Sequence, residues 1–354
     1  MNEQALIACA KALVGRGKGL LAMDESNGTC NARFAALGIA QTVEMRRAWR
    51  DLLITAPGLG ESISGAILYD ETIRQSGRHG RRFVDLLAEA GIIPGIKVDT
   101  GARPLALHPG EKVTEGLDGL RERLADYAAM GARFAKWRAV IGLDGDQPSV
   151  ACIRANAQAL ARYVALCQEA GIVPIVEPEV LMAGDHSLHR CRTVTGDVLT
   201  ALFEEMDVQG VLLEGLILKP NMILPGLDCP DQLPAAGVAV ATIETLSRNI
   251  PPWVAGVAFL SGGQSPELAS ARLNAMNVQA AIDDLPWPLV FSFARALQQP
   301  ALALWRGEDA HVDAAQAALL HRARCNHAAL SGVYDAAMEA DPAVRVGVAS
   351  AAQG

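Results

Sequence analysis

The sequence lacks the signatures of a metalloenzyme, a secreted protein and a membrane protein. Its seven histidines show no HExxH or comparable ligand spacing, so no catalytic metal and no other cofactor is expected. Its seven cysteines are scattered without a CxxC pair, which is typical of reduced thiols buried as small apolar groups in a reducing compartment. Residues 1–16 lack the apolar core of a signal peptide, and no run approaches the roughly 18 apolar residues of a membrane span. We therefore expect a cytoplasmic protein with no membrane partner.

Acidic residues outnumber basic ones, and lysine is scarce among the basic residues. The formal net charge of -8 argues against a nucleic-acid partner, so an anionic substrate would need a local basic pocket. Only six of the 31 basic residues are lysines, yet Lys97, Lys136 and Lys219 stand at or near the ends of predicted strands. A buried lysine can lose its proton and become a nucleophile, whereas arginine effectively cannot. This distribution indicates chemistry that requires lysine.

Eight short apolar runs rich in Val, Ile and Leu alternate with helical segments along the 354 residues. Continuous apolar character indicates strands that are buried on both faces, as in parallel sheets. Eight β/α units in one chain predict a (β/α)8 TIM barrel. The predicted strands are 19–24, 65–69, 92–98, 134–140, 172–176, 211–218, 254–260 and 288–293.

Helical patterns separate these runs, for example at 116–130, 149–169, 196–205, 235–249 and 266–277. A doubly wound sheet is the competing fold, but it would require a Gly-rich turn after its first strand, and the glycines of 15–19 precede that strand. Residues 331–354 are Ala-rich and weakly patterned. We therefore predict a single barrel domain over 1–330 and a mobile C-terminal tail over 331–354.

Seven chemically capable residues follow predicted strands. The five central ones are 39, 41, 42 and 42 residues apart, about one β/α unit each. Because the carboxyl ends of barrel strands converge on one face, these side chains are expected to meet in one site. They are Asp24, Lys97, Lys136, Glu177, Lys219, Ser261 and Arg295.

Lys219 and the two glutamates of Val-Glu-Pro-Glu carry the central chemistry. Burial and the nearby cation of Lys136 disfavour the charged form of Lys219, and a neutral amine attacks carbonyl carbons. Glu177 and Glu179 flank a proline and fit a proton shuttle with an electrostatic partner. A salt-bridged lysine and a solvated acidic loop are the alternatives, which spacing alone leaves open.

Asp24 and the residues after it have two interpretations. Asp24 can take a proton from a substrate hydroxyl as a carbon–carbon bond breaks. Ser26 and Thr29 follow it and either bind substrate or only cap a helix, the commoner use of these residue types.

The residues that follow the last two predicted strands indicate a phosphate-binding site. The turn Ser261-Gly262-Gly263 leads into a helix, so its backbone N–H groups can cradle a phosphate, and Arg295 can add a bidentate contact. Lys97 either pairs with Asp99 or binds a second phosphate. The bland interpretation of Lys136-Trp137-Arg138 is a structural tryptophan with flanking charges.

The same residues resemble the class I fructose-bisphosphate aldolases. Seven motifs match that family in order between about residues 11 and 330. They are KGLLAMDES at 18–26, GIKVD at 95–99, FAKWR at 134–138, IVPIVEPE at 172–179, LKPNM at 218–222, FLSGGQS at 259–265 and FSFARAL at 291–297.

This resemblance implies reversible, metal-independent cleavage of fructose 1,6-bisphosphate to dihydroxyacetone phosphate and glyceraldehyde 3-phosphate, in glycolysis and gluconeogenesis. It implies that Lys219 forms the Schiff base at C2, Glu177 shuttles protons and Asp24 takes the C4 hydroxyl proton. It also implies that Lys136 assists electrostatically and that Glu179 positions both lysines. The partner is the sugar phosphate, and the family is typically a homotetramer.

The resemblance also divides the phosphate contacts between two ends of the substrate. Arg138 is expected among the substrate-binding residues. By this resemblance, the C6 phosphate is expected to contact Ser26, Thr29 and Lys97. The C1 phosphate is expected to contact Arg33, Ser261, Gly262, Gly263, Ser292 and Arg295.

The sequence departs from the family pattern in two places. Family members commonly end in a tyrosine that aids proton exchange at the enamine, but residues 350–354 read SAAQG, and the nearest tyrosine is Tyr334. Ala294 replaces the usual glycine before the phosphate arginine. Bisphosphate preference and enamine reprotonation are therefore open. An aldolase that prefers a monophosphate and a silent scaffold on the same fold are the competing hypotheses.

Overall fold

Eight parallel strands close into a barrel in the computed structural model, which describes residues 2–15 and 17–340. An antiparallel hairpin, β4 with β5, lies outside the barrel between its third and fourth strands. The strands are β1 Gly19–Ala22, β2 Ile63–Leu68, β3 Ile93–Lys97, β4 Gly101–Pro104, β5 Lys112–Glu115, β6 Phe134–Ile141, β7 Val173–Val180, β8 Ile217–Leu218, β9 Gly256–Phe259 and β10 Leu289–Phe293.

Twelve α-helices are present in the described residues, and most of them surround the barrel. Four short 3-10 helices also occur there, at Leu59–Glu61, Leu213–Gly215, Asp309–His311 and Ala336–Ala340. The α-helices are α1 Glu3–Val14, α2 Asn27–Ala35, α3 Val43–Ile54, α4 Asp70–Ile73, α5 Phe83–Glu89, α6 Leu120–Met130, α7 Val150–Glu169, α8 Leu188–Gln209, α9 Ala235–Asn249, α10 Pro266–Ile282, α11 Arg295–Trp305 and α12 Val312–Leu330.

The predicted TIM barrel is confirmed, and each of the eight predicted runs overlaps one barrel strand. The run 211–218 was too long as a strand, because only its last two residues pair with neighbours. The Gln168 side chain explains the difference. It donates a hydrogen bond to the Leu212 carbonyl (2.7 Å) and accepts one from the Leu212 N–H (2.9 Å), so this backbone bonds to a helix side chain and not to a strand.

Three predicted helices also had wrong bounds, one of them because α10 runs to Ile282, five residues past the predicted end at 277. The helix expected over 116–130 begins at Leu120, because Gly116 and Gly119 have φ values of 131° and 64°, which an α-helix does not contain. The helix expected over 196–205 is the middle of the longer α8, whose N-cap Ser187 accepts a hydrogen bond from the Arg190 N–H.

The barrel interior is apolar at its amino-terminal end, where α1 closes it. Side chains of α1 such as Leu6 and Leu13 pack against strand residues that include Phe134, Ile175 and Ile217 in one buried cluster. The opposite strand faces pack against the helices in a larger cluster, where the rings of Trp137 and Tyr163 pack at a tilt of 36° with centroids 5.5 Å apart. Trp137 is therefore a structural core residue, as the bland interpretation expected, but the neighbouring Lys136 is only 4% exposed and is not a surface charge.

The C-terminal segment is described only as far as residue 340. After α12, Ala336–Ala340 forms a short 3-10 helix, and Glu339 pairs with Arg322 of α12. The rest of the predicted tail, residues 341–354, lies outside the described residues. All seven cysteines are free thiols, as predicted. In the part of the chain that the structure describes, no helix is both long and apolar enough to cross a bilayer.

Glycine on the inner face of the strands makes room for large side chains. A Cβ added at Gly95 of β3 would lie 2.3 Å from the ring of Phe134, which fills the barrel interior. Real Cβ atoms do not approach a ring this closely, so either the ring or the strand would have to move.

We therefore expect Gly95→Ala to lower the free energy of unfolding by about 3 kcal/mol, the upper range for overpacking a core. Urea unfolding followed by circular dichroism measures this loss. Gly28→Ala is the control, because a Cβ at Gly28, in α2, meets no atom within 4 Å. That change should leave stability unchanged or raise it by about 0.5 kcal/mol. Equal stability of the two variants would contradict the packing argument.

Candidate active site

Along each of two neighbouring strands, the residues that face the barrel interior change from apolar to charged. Alternate residues of a strand face the same side, so in β6 Phe134 is followed inward by Lys136 and Arg138. In β7, Ile175 is followed in the same way by Glu177 and Glu179. The barrel is therefore apolar near α1 and charged at the carboxyl ends of its strands, where barrel enzymes have their active sites.

A cavity of about 770 Å³ opens at these carboxyl ends and brings together nearly all the predicted site residues. Gly263 is the exception, because it does not line the cavity, although a Cβ added there would be 3.2 Å from the Arg295 guanidinium. The predicted residues that line the cavity are Asp24, Ser26, Thr29, Arg33, Lys97, Lys136, Arg138, Glu177, Glu179, Lys219, Ser261, Gly262, Ser292 and Arg295.

Several lining residues were missed by sequence reasoning. Tyr69 directly follows β2, so its position at a strand end was a usable signal. Thr100, Gly101 and Ala102 reach the cavity through the β4–β5 hairpin, which carried no recognisable pattern. Tyr334, the tyrosine nearest the C-terminus, does not line this cavity, and its hydroxyl donates a hydrogen bond to Glu339 (2.7 Å).

Lys219 is fixed by the backbone around the short strand β8. Its N–H donates a hydrogen bond to the Val176 carbonyl of β7 (2.7 Å), which extends the strand pairing past Leu218. Two residues later, the fully buried Asn221 accepts from the Val180 N–H (3.1 Å) and donates to the Thr195 hydroxyl (3.2 Å). The amine therefore projects from a rigid backbone at the cavity floor.

The Lys219 amine belongs to a buried cluster of four ionisable groups, and its residue is only 3% exposed. Glu177 lies between two lysines, with one oxygen 3.3 Å from Lys219 Nζ and the other 3.3 Å from Lys136 Nζ. Lys136 Nζ also pairs with Asp24 at 2.7 Å. Two cations and two carboxylates thus compensate each other away from water.

Charge pairing outweighs burial in setting these ionisations. Burial alone would raise the pKa of Asp24, but Lys136 and Lys219 hold that pKa below its usual value. Burial opposes ionisation of Glu177 in the same way, and Lys219 and Lys136 lower its pKa. Burial alone would lower the pKa of Lys136, but Asp24 and Glu177 raise it well above the ordinary value. Both carboxylates are therefore ionised at neutral pH, and Lys136 is a cation.

Glu179 differs from its expected role. It was predicted to position Lys136 and Lys219, but its carboxylate pairs with the Arg138 guanidinium. Glu179 is the next inward residue of β7 after Glu177, about 6.6 Å nearer the mouth, so it reaches the last inward cation of β6. The lysines are bridged by Glu177 instead.

The polar groups near the first strand are held by one another. Ser26 caps α2 by accepting a hydrogen bond from the Thr29 N–H (3.3 Å), and its hydroxyl is 3.1 Å from that of Thr29. Ser26 therefore caps α2, and its side chain also lines the cavity. Lys97 pairs with Asp99 at 2.6 Å, and Arg33 pairs with Glu25, so both cations stand fixed at the cavity wall.

Backbone and side-chain donors gather after the last two strands. Gly262 and Gly263 have φ values of 56° and 94°, a turn that favours glycine, and the turn leads directly into α10. Arg295 begins α11. The Ser292 hydroxyl is buried beside them without a hydrogen-bond partner among the described residues. Two helix N-termini, a guanidinium and an uncommitted hydroxyl suit a phosphate group.

A compact group of metal-ligand types lies elsewhere. His321, Cys325 and Glu339 have ligand atoms within 4.8 Å of one another, and none of them lines the cavity. The Glu339 carboxylate is already paired with Arg322 and bonded by Tyr334. This group therefore joins the segment after α12 to α12 itself, and none of its residues lines the cavity that holds the charged cluster.

Comparison with known proteins gives one consistent result. The family model for class I fructose-bisphosphate aldolase matches residues 5–349. A probable fructose-bisphosphate aldolase class 1 of Xylella fastidiosa is 52% identical over 94% of this chain and 99% of its own. A cytosolic fructose-bisphosphate aldolase of Arabidopsis thaliana is 48% identical over 96% of this chain and 94% of its own.

A solved structure is similar in fold as well as in sequence. Fructose-bisphosphate aldolase from Plasmodium falciparum, crystallised in complex with TRAP and an inhibitor, superposes with a TM-score of 0.92. It is 45% identical, and the alignment covers 94% of this chain and 96% of that one.

The charged cluster leads to a pH-dependent prediction. Lys136→Met leaves Asp24 and Glu177 buried with one cation fewer, so we expect a loss of about 3 kcal/mol in the free energy of unfolding at pH 7. The pKa values of both carboxylates are lowered in the native protein. Their ionised forms therefore stabilise the native protein at pH values above about 4, the ordinary pKa of such groups. Protonation in the variant relieves the repulsion, so the loss should shrink at pH 5. Urea unfolding at both pH values measures it.

Lys112→Met is the control, because Lys112 is exposed on β5, away from the cavity. It removes the same charge and should change stability by less than about 0.5 kcal/mol. A loss in Lys136→Met that is the same at both pH values would indicate a packing effect and contradict the electrostatic account.

Proposed function

The chain belongs to the class I fructose-bisphosphate aldolase family, and from this we propose that it cleaves fructose 1,6-bisphosphate through a Schiff base on Lys219. It is a metal-independent carbon–carbon lyase of glycolysis and acts on a sugar phosphate. The observation that carries the assignment of Lys219 is its buried amine, 3.3 Å from a carboxylate that also contacts a second lysine.

Schiff-base formation needs proton transfer at the Lys219 nitrogen. Glu177 first takes a proton from Lys219, and the neutral amine then attacks C2 of the ketose. A bond forms between Nζ and C2 as the C=O π electrons move to oxygen, and a proton passed from the nitrogen to that oxygen gives a hydroxyl. Loss of that hydroxyl as water then gives the iminium. Glu177 is the group within reach of Lys219 Nζ, so it takes a proton from the amine and returns one to the departing hydroxyl.

Carbon–carbon cleavage follows from the positive iminium. Asp24 takes the C4 hydroxyl proton, the C4 carbonyl forms, and the electrons of the C3–C4 bond move to the iminium to give an enamine. Asp24 suits this role because its pKa is held low, so it is ionised before the reaction. Lys136 pairs with both Asp24 and Glu177 and stabilises their charges as protons move.

Substrate length accounts for the two polar ends of the cavity. We assign the C1 phosphate to the donors around Ser261, Gly262, Ser292 and Arg295. We assign the C6 phosphate to the opposite end, at Ser26, Thr29 and Lys97. Arg33 is assigned to the C1 side, and Gly263 supports this turn from behind, next to Arg295. Arg138, paired with Glu179, flanks the substrate between the two ends.

The competing hypotheses fit less well. A monophosphate aldolase would need only one of the two polar ends. A silent scaffold would not need a compensated cluster of four buried charges, which is costly to assemble without chemistry.

We also propose a cytoplasmic homotetramer. The assembly rests on family resemblance alone, and the curated relatives include both cytosolic and chloroplastic enzymes.

The assignment of Lys219 has a direct test. Borohydride added during turnover should trap a covalent adduct on the peptide containing Lys219, and cleavage should persist in EDTA. Lys219→Ala should abolish trapping and lower kcat by about a thousandfold or more, as loss of a covalent nucleophile does. Mass spectrometry of the digest and a coupled cleavage assay measure both.

The matched control is Lys112→Met, which removes an exposed lysine and should trap as well as the wild type. Adduct on any other lysine, or substantial cleavage by Lys219→Ala, would refute the assignment.

The second phosphate end has its own test. Lys97→Met should lower kcat/KM for fructose 1,6-bisphosphate by about 10- to 100-fold, since a hydrogen bond to a charged group contributes roughly 1.5–3 kcal/mol. For fructose 1-phosphate, which lacks the C6 phosphate, kcat/KM of the variant should stay within about twofold of the wild-type value. Steady-state assays with both substrates give the comparison, and an equal loss for both would contradict the assignment of Lys97.

A further inference from the structure

Arg272 of α10 is a buried cation that the proposed mechanism does not use. The residue is 4% exposed, and its Nε has no hydrogen-bond partner. Its Nη1 donates one hydrogen bond, to the neutral amide oxygen of Gln264 (2.7 Å). No carboxylate within residues 2–15 and 17–340 lies within ion-pair distance of it. Burial without a counter-charge is costly for a guanidinium.

Gln264 connects this cation to the turn after β9. Its side-chain nitrogen donates to the Ser261 carbonyl (2.9 Å), and its backbone N–H donates to the same oxygen (3.0 Å). Arg272, Gln264 and the Ser261 carbonyl therefore form one continuous chain of hydrogen bonds behind the wall of the cavity.

The Ser261–Gly262 peptide links this chain of hydrogen bonds to the cavity. In a planar trans peptide, the carbonyl of one residue and the N–H of the next point in opposite directions. Because the Ser261 carbonyl points back toward Gln264, the Gly262 N–H points away from it, and both residues line the cavity. A guanidinium at the far end polarises each bond of the chain in the same sense and strengthens the Gly262 N–H as a donor.

We propose that Arg272 is a positioning residue for the phosphate turn, and that the substrate's C1 phosphate is the counter-charge it lacks. The inference rests on the proposed function. Arg272 acts through Gln264 and does not touch the substrate. It orients the Ser261–Gly262 peptide and adds a positive charge behind it, where the guanidinium is largely shielded from water.

A purely structural role does not account for the charge. A methionine at this position would fill similar space without the cost of desolvating a guanidinium. Burial lowers the pKa of Arg272, which is the mark of a cation without compensation in the unliganded chain. An anion bound at the turn relieves this cost, so binding and burial of Arg272 favour each other.

Arg272→Met tests the proposal. KM should rise about three- to tenfold for both fructose 1,6-bisphosphate and fructose 1-phosphate, because both carry the C1 phosphate, while kcat stays within about twofold. Inorganic phosphate should raise the Tm of the wild type more than that of the variant. Arg248→Met, which removes an exposed arginine at the end of the neighbouring α9, should match the wild type in both measurements.

Gln264→Met supplies an independent variant, which serves also if Arg272→Met does not fold. It cuts the chain between Arg272 and the turn, so it should raise KM for both substrates, and the double variant should be no worse than the poorer single one.

Unchanged KM in Arg272→Met, even with a lower Tm, would overturn the proposal and leave a structural arginine. If only Gln264→Met folds, its unchanged KM would overturn it equally. A wild-type protein that neither cleaves the sugar phosphate nor traps it would instead refute the proposed function.

Discussion

The contact of Glu177 with both Lys136 and Lys219 is the constraint on which the rest of the site depends. Each lysine alone at this depth would be an uncompensated buried charge, and so would each carboxylate. Together with Asp24 they balance, two cations against two carboxylates. Protons can then move between these groups during Schiff-base chemistry without changing the net charge of the cluster. The same arrangement therefore satisfies stability and catalysis.

Strand periodicity makes this arrangement compatible with folding. The residues that face inward near α1, such as Phe134 and Ile175, form a dry core, and two residues later the same faces present Lys136 and Glu177. The apolar layer stabilises the barrel, and the charged layer uses its rigidity. Side chains on strands hold their geometry better than side chains on loops, which suits proton transfer over short distances.

Much of this architecture could be predicted because it depends on local patterns. Continuous apolar runs revealed the eight strands, and spacing of one β/α unit revealed that Lys97, Lys136, Glu177 and Lys219 share one face. Spacing could not assign the contacts between them, because partners across a barrel depend on the stagger of its strands. The family resemblance also assigned Glu179 to the lysines, although its carboxylate pairs with Arg138. The short β8 was misjudged because Gln168, far away in sequence, bonds the backbone before it.

Arg272 was missed for a different physical reason. It stands on a helix, two turns past the phosphate turn, and no strand-end or motif rule applies there. Its significance appears only once burial and partners are known, because an arginine in a helix is ordinarily exposed. A folded domain is stable by only about 5–15 kcal/mol, so an uncompensated guanidinium uses a noticeable part of that margin. Such a cost persists where it serves a bound state, which is why unpartnered buried charges beside a cavity are informative about ligands.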